Sequence, residues 1–164
     1  MRITLLLSVT LLGFYGAVAQ ASKYQEFAED YLISLAQGGK STLQFHPSVK
    51  EWKEIGRSLG VAENSNSYKT DNDEIFEAKS RQLIARILKR AKKIGILWED
   101  YEVIKVNTIV QQLAVKQADG QESEITTLEV LFHSNGKKYK LLLGGVFPVN
   151  DKLVVQGSEV VKSK

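Results

Sequence analysis

Two histidines, His46 and His133, and no cysteine are present in the chain. That scarcity limits the chemistry open to it. His46 directly precedes Pro47, where an imidazole serves a turn or a helix cap. His133 stands beside the Asn135-Gly136 pair, on a strand face shared with Lys138, and reads as solvated. Their separation fits no metal-ligand spacing, and no HExxH motif is present. Nothing marks a nucleophilic serine elbow, so a histidine-centred triad has no support. Ser134 and Lys137 match a serine–lysine pattern by letters, but that chemistry wants the serine at a helix start, and here the pair flanks a hairpin turn. The lack of cysteine removes thiol catalysis, thiolate metal sites and thiol redox chemistry. There is no phosphate loop and no dinucleotide fingerprint; Gly38-Gly39 and Gly144-Gly145 read as turn or bulge glycines. Glu99, Asp100 and Glu102 fall at a strand start with no reason to be buried. The reading is no catalytic residue, no metal and no cofactor.

The residues that could form a site are aromatic instead, and a hairpin positions them. Asn135-Gly136 is a strong signal for a type I′ turn, which needs positive φ at both central residues. A two-residue turn sets Ser134 opposite Lys137, Phe132 opposite Tyr139, Val130 opposite Leu141 and Leu128 opposite Leu143. Side chains alternate along a strand, so Leu128, Val130, Phe132, Tyr139, Leu141 and Leu143 share one apolar face. The Tyr139 hydroxyl is the polar group on that face, and a buried phenol wants a hydrogen-bond partner. With Phe132 it would form an aromatic wall, and Tyr31 and Trp52 could supply the facing wall of a ligand pocket.

The elements around the hairpin follow from periodicity. Tyr24, Phe27, Ala28, Tyr31, Leu32 and Leu35 mark one face of a helix from Ser22 to Gln37, with Ser22 and Gln25 as a capping box and Gly38-Gly39 as its stop. Pro47 suits the first turn of a second helix, striped by Val49, Trp52, Ile55 and Leu59 and ended by Gly60. Glu63 to Lys69 reads as a surface loop. A long helix runs from Thr70 to Ile94, started by Asp71 with Glu74 and ended by Gly95. Ile75, Phe76, Leu83, Ile84, Ile87, Leu88, Ala91 and Ile94 line one side of it. Acids crowd its start and bases its remainder, which complements the helix dipole. A strand from Glu99 to Lys116 follows, with an irregular pattern that predicts a bulge. Asp119-Gly120 is a second turn. A two-residue loop there would pair Ile109 with Val130; a one-residue slip would present Val106, Thr108 and Val110 to the core, and the residues do not choose between these registers. Lys152 to Gln156 is a last short strand, and Ser158 to Lys164 a flexible tail.

The address lies at the start of the chain. Arg2, the apolar run Ile3 to Tyr15 and the small-x-small site Ala17-Val18-Ala19 read as a secretory signal peptide, cleaved before Gln20. The apolar run is short for a membrane span of roughly 20 residues. The expected organisation is a signal peptide over 1–19, one domain over 20–157 and a tail over 158–164. The mature chain should be soluble, periplasmic or secreted, and without a transmembrane segment. An exported chain without disulfides fits a bacterial periplasm or exterior better than a small disulfide-dense animal domain. The formal net charge of +3 falls by one when Arg2 is removed, too little to imply nucleic acid.

Three helices followed by four meandering strands make an α+β fold, with the helices packed on the apolar face of a curved antiparallel sheet. Gly136-Lys137-Lys138-Tyr139-Lys140-Leu141-Leu142-Leu143, then Val149-Asn150-Asp151-Lys152-Leu153-Val154-Val155, resembles the closing strands of small exported bacterial domains of the nuclear-transport-factor-like (cystatin-like cone) superfamily. That family's pattern ends in a glycine-lysine-tryptophan turn; here Asp151, Lys152 and Leu153 stand there. The resemblance implies a sheet curved round a long helix with a cavity at its open end. Family members use that cavity for ligands, for acid–base enzymes, or for nothing known, and fold alone does not choose. The expected function is non-catalytic binding of a small apolar ligand or an exported protein partner. The alternatives are a cone-fold isomerase, dehydratase or hydrolase, and anionic-surface binding through the basic half of the long helix.

Overall fold

The computed structural model describes residues 21–61, 72–116 and 122–163. The expected signal peptide, the surface loop at Glu63 to Lys69, the Asp71 cap and the Asp119-Gly120 turn lie outside these residues. Helix α1 covers residues 21–36, α2 Val49–Ser58 and α3 Asp73–Ile94. Short 3₁₀ turns occupy Ser41–Phe45 and Trp98–Asp100. Strands β1 (Glu102–Lys116), β2 (Glu122–Ser134), β3 (Lys137–Val149) and β4 (Lys152–Lys162) form one antiparallel meander in the order β1-β2-β3-β4. The chain is therefore α+β, with the three described α-helices ahead of the sheet.

The central hairpin has the register that its turn demands. Ser134 pairs with Lys137, Phe132 with Tyr139 and Leu128 with Leu143. Asn135 and Gly136 have φ of 50° and 66°, the positive values a type I′ turn requires. Leu128, Val130, Phe132, Tyr139, Leu141 and Leu143 are all fully buried. Burying a large apolar side chain is worth roughly 1.5–3 kcal/mol, so this face dominates the core. Tyr31, Leu32 and Leu35 from α1, and Ile84, Ile87 and Ala91 from α3, close over it.

Local chemistry moves several boundaries. Ser22 lies within α1 and donates to Glu26 rather than capping the helix. The cap of α2 is Ser48, not the Pro47 turn: its hydroxyl accepts from the Glu51 N–H, and the Glu51 carboxylate accepts from the Ser48 N–H at 2.8 Å. Asn72 caps α3, its side chain accepting from the Glu74 and Ile75 N–H groups. Ile75, expected on the buried side of α3, is 49% exposed. The first strand starts at Glu102 because residues 98–100 turn back to hold the hairpin tip. There, Asp100 Oδ1 accepts from the Asn135 N–H at 2.9 Å, and Ser134 Oγ bonds both the N–H and the C=O of Leu97 at 2.8 Å.

The β1 register is the slipped alternative. Val106 pairs with Val130 and Thr108 with Leu128, because an irregularity between Gln112 and Lys116, on the turn side, displaces the register; a second one between Val103 and Lys105 shifts the pairs before it. β4 extends to Lys162, so the segment from Ser158 is strand and not a loose tail. Ser158 to Lys162 pairs with Tyr139 to Leu143, and Val160 is fully buried. The continuing ladder with β3 fixes this end of the chain.

Not all helices cover the same face. Ile55 of α2 clusters with Phe147, Val149 and Val154, and Trp52, Leu59 and Ile125 pack against them. Val146 and Val155 belong to the main core, so strand alternation puts Phe147 and Val154 on the opposite side. Helix α2 therefore covers the back of the β3–β4 end, where the sequence reading put every helix on one face. The cause is a second apolar stripe, Phe147, Val149 and Val154, beyond the bulge at Gly144-Gly145.

Candidate functional site

The four aromatic residues expected to line a pocket stand in three places. Phe132 and Tyr139 are brought together, stacked with ring centroids 5.7 Å apart, and Trp98 stacks on Phe132 at 6.1 Å. The Tyr139 hydroxyl donates to the carbonyls of Ile94 and Gly95, both at 3.2 Å. Its partner is thus the end of α3, whose last carbonyls lack helical donors. Trp52 lies apart, in the cluster behind the sheet, and contacts Phe76 of α3 at 6.1 Å.

Tyr31 anchors a different arrangement. It sits on the buried face of α1, yet its hydroxyl meets polar partners: Ser158 Oγ at 2.6 Å and His46 Nε2 at 3.2 Å. A second buried polar pair ties α1 to the 3₁₀ turn that precedes His46. Ser34 Oγ donates to the Tyr31 carbonyl at 2.7 Å and lies 2.8 Å from Thr42 Oγ1. Burial pushes the Tyr31 phenol up to about 12, only partly offset by the Ser158 bond. Burial pushes the His46 imidazole down to about 4. Both groups are neutral at pH 7.

His46 forms part of the wall of a cleft of about 320 Å³. The cleft lies between the turn at His46-Pro47, the first turn of α2, the N-terminal half of α3 and Lys152 at the start of β4. Two helix starts meet there, and carboxylates hold them: Asp73 Oδ1 accepts from the Val49 N–H at 3.2 Å, joining α3 to α2. Glu51 pairs with Lys152 Nζ at 2.7 Å. Burial would raise the Glu51 carboxyl, but Lys152 and the Ser48 backbone and hydroxyl together hold it below the usual carboxylate range. Glu77 adds a third carboxylate to the lining. Leu43, Pro47 and Phe76 supply the apolar surface.

One buried wall residue has no hydrogen-bond partner among the described residues. Ser80 of α3 is only 8% exposed and lines the cleft, and no hydrogen bond joins its hydroxyl to any described residue. A buried hydroxyl left without a partner costs roughly 1–3 kcal/mol, so a group in the cleft that bonds Ser80 would recover that cost. The cleft wall thus carries a neutral imidazole, a hydroxyl with no partner among the described residues, Glu51 paired with Lys152, Glu77 paired with Arg81, the Asp73 carboxylate, and an apolar surface.

The sequence reading missed this cleft. Its residues come from separate stretches at 43–51, 73–80 and 152, and no spacing in the chain links them. One signal was present: Tyr31 is a polar-tipped residue in the middle of an apolar helical stripe. Two of the proposed aromatics touch the cleft wall from behind, Tyr31 through His46 and Trp52 through Phe76. Among the described residues, no group of three His, Asp or Glu is placed to hold a metal ion, and no helix is long and apolar enough to cross a membrane. No family model, no curated protein and no solved structure matches the chain.

Proposed function

We propose that this chain is an exported, non-catalytic binding domain, and that its ligand is a small molecule with a basic amine and an apolar body, held in the His46–Ser80 cleft. The carrying observation is the buried Ser80 hydroxyl, without a partner among the described residues, in the wall of a cavity of about 320 Å³. That volume lies at the lower end of the range for small-molecule sites. Glu51 is paired with Lys152 and Glu77 with Arg81, which leaves Asp73 as the carboxylate that an ammonium would meet, while Phe76 and Leu43 take its apolar part. An apolar ligand inside the sheet has less support, since the hairpin's core face is filled by α1 and α3.

Acid–base catalysis in the same cleft is the second reading, favoured by a histidine among carboxylates. The environment of His46 weighs against it. A general base works best with a pKa near the operating pH, and burial holds this imidazole at about 4 with its Nε2 facing Tyr31. The reading of export rests on the signal-like segment ending at Ala19. The reading of a cone-like fold rests on the strand pattern from Gly136 to Val155.

Benzylamine and benzoate test the binding proposal, because they share an apolar ring and differ in charge. Benzylamine should raise the melting temperature saturably, and benzoate should not. Ser80→Leu, which fills the cleft, should abolish the benzylamine effect while leaving the circular dichroism unchanged. Equal stabilisation of the wild type and the Ser80→Leu variant would rule the cleft out.

A further inference from the structure

The cleft is a trench two helical turns long, and its polar groups are sorted along it. On one wall, Asp73, Phe76, Glu77 and Ser80 recur at i, i+3, i+4 and i+7, so they form a single stripe of α3. The facing wall runs the other way. The Val49 N–H donates to Asp73 Oδ1 at 3.2 Å, so the start of α2 stands opposite the Asp73 end. Leu43 also borders a neighbouring pocket with Ile84 and Leu88, one and two turns beyond Ser80, so the 3₁₀ turn stands opposite the Ser80 end. His46 and Pro47 lie between.

The two ends differ in charge. At the first, Glu51 is paired with Lys152, and no salt bridge joins Asp73 to any described residue. At the second, the polar groups are neutral. They are the side chain of Gln44 and the Ser80 hydroxyl, which is only 8% exposed and has no partner among the described residues. Between the ends, Leu43, Pro47 and Phe76 are apolar, and Glu77 is engaged by Arg81.

The spacing sets a length. Seven residues at a helical rise of 1.5 Å put Ser80 about 10 Å from Asp73 along the axis, and side chains on one face lean the same way, so their polar atoms keep about that separation. Hydrogen bonds of about 2.8 Å at each end leave about 5 Å between the ligand's own polar atoms when they lie along the trench, and about 10 Å when they lie across it.

We propose that the ligand is linear and two-ended: an ammonium at Asp73, a neutral hydroxyl or amide at Ser80, and an apolar chain between them. This rests on the cleft being a cation site, and it adds the ligand's length and its second polar end. That end is uncharged, because no unpaired countercharge lines the trench beside Ser80.

The probes are 6-aminohexan-1-ol, n-hexylamine and ethanolamine. All three carry the ammonium, and n-hexylamine has no second polar end. An extended chain advances about 1.2 Å per bond, which separates nitrogen and oxygen by about 8 Å in 6-aminohexan-1-ol and by about 4 Å in ethanolamine, too short to reach both groups. Titration calorimetry gives their dissociation constants for the protein and for Ser80→Ala, which removes an unpartnered hydroxyl and should leave the circular dichroism unchanged. Ser80→Ala should weaken 6-aminohexan-1-ol relative to n-hexylamine by about fivefold, the worth of one hydrogen bond. Ethanolamine should bind more weakly than 6-aminohexan-1-ol and be insensitive to Ser80→Ala. If 6-aminohexan-1-ol and n-hexylamine bind but their ratio is unchanged in Ser80→Ala, the two-ended ligand is overturned and the cation site stands. Equal sensitivity of ethanolamine to Ser80→Ala would overturn the length in the same way. If no amine binds, the cation site itself falls, and this inference with it.

Discussion

His46 shows how burial sets the chemistry of a single side chain. Its imidazole is pushed from 6.5 to about 4, so the unfolded chain binds a proton between those values and the folded chain does not. The stability this group contributes is complete above pH 6.5 and is lost as pH falls towards 4. Between about pH 7 and about pH 5, unfolding free energy should fall by about 2 kcal/mol from this residue alone. Glu51 and Glu129 are held below the usual carboxylate range and lose their contributions only at lower pH. For Glu129 the Lys140 hydrogen bond is the main cause. Urea unfolding at the two pH values measures the loss, and His46→Asn should largely remove it even if the variant is less stable overall. An unfolding free energy that is flat across this window would mean that the imidazole titrates normally. The residue-scale reading of the hairpin face was legible because a two-residue turn leaves no freedom in register. Ser80 was not legible, because its burial depends on α2 and the His46-Pro47 turn packing against α3.

At the scale of elements, the bulge on β3 does the most to shape the sheet. Gly145 has φ +66°, and a Cβ there would stand 2.9 Å from Gln156 Oε1 and 3.1 Å from Phe147 Cε2. Neighbouring Gly144 is not in the left-handed region, and its closest approach would be 3.9 Å. Gly145→Ala should therefore destabilise by at least about 1–2 kcal/mol through backbone strain and crowding together, while Gly144→Ala should cost clearly less. Denaturant midpoints compare the two, and equal losses would show that the bulge does not depend on glycine. The Gly-Gly pair marked this bulge in the sequence. Its consequence, a second apolar stripe covered by α2, was hidden because Phe147 and Val149 read as a simple continuation of the same strand. β1 was ambiguous for a related reason: an irregularity near Ile104 breaks the alternation on which the face assignment rests. The end of β4 escaped because Ser158, Glu159 and Lys162 look polar and tail-like. Their role is set by β3, which they pair with, and not by their own hydropathy.

For the whole molecule, the order of helices and strands was legible from periodicity and turn residues, and it fixed the α+β class. How the elements combine into a site was not, since the cleft depends on contacts between stretches far apart in the chain. The charge of α3 fits a structural role. Its acids lie at the start and its bases at the end, Arg81 pairs with Glu77, and Arg90 bonds the β4 backbone. The proposal of export has its own check: the intact mass of the exported protein should correspond to a chain beginning at Gln20, and a mass that includes Met1 would contradict it.

The central claim is that the His46–Ser80 cleft receives a ligand. Residue-resolved NMR during a benzylamine titration tests it most directly. Saturable shifts at Ser80, Phe76 and the His46 ring, with the Phe132–Tyr139 pair undisturbed, are the predicted result. Shifts spread evenly over the surface, or centred on Phe132 and Tyr139 with His46 and Ser80 unmoved, would contradict it.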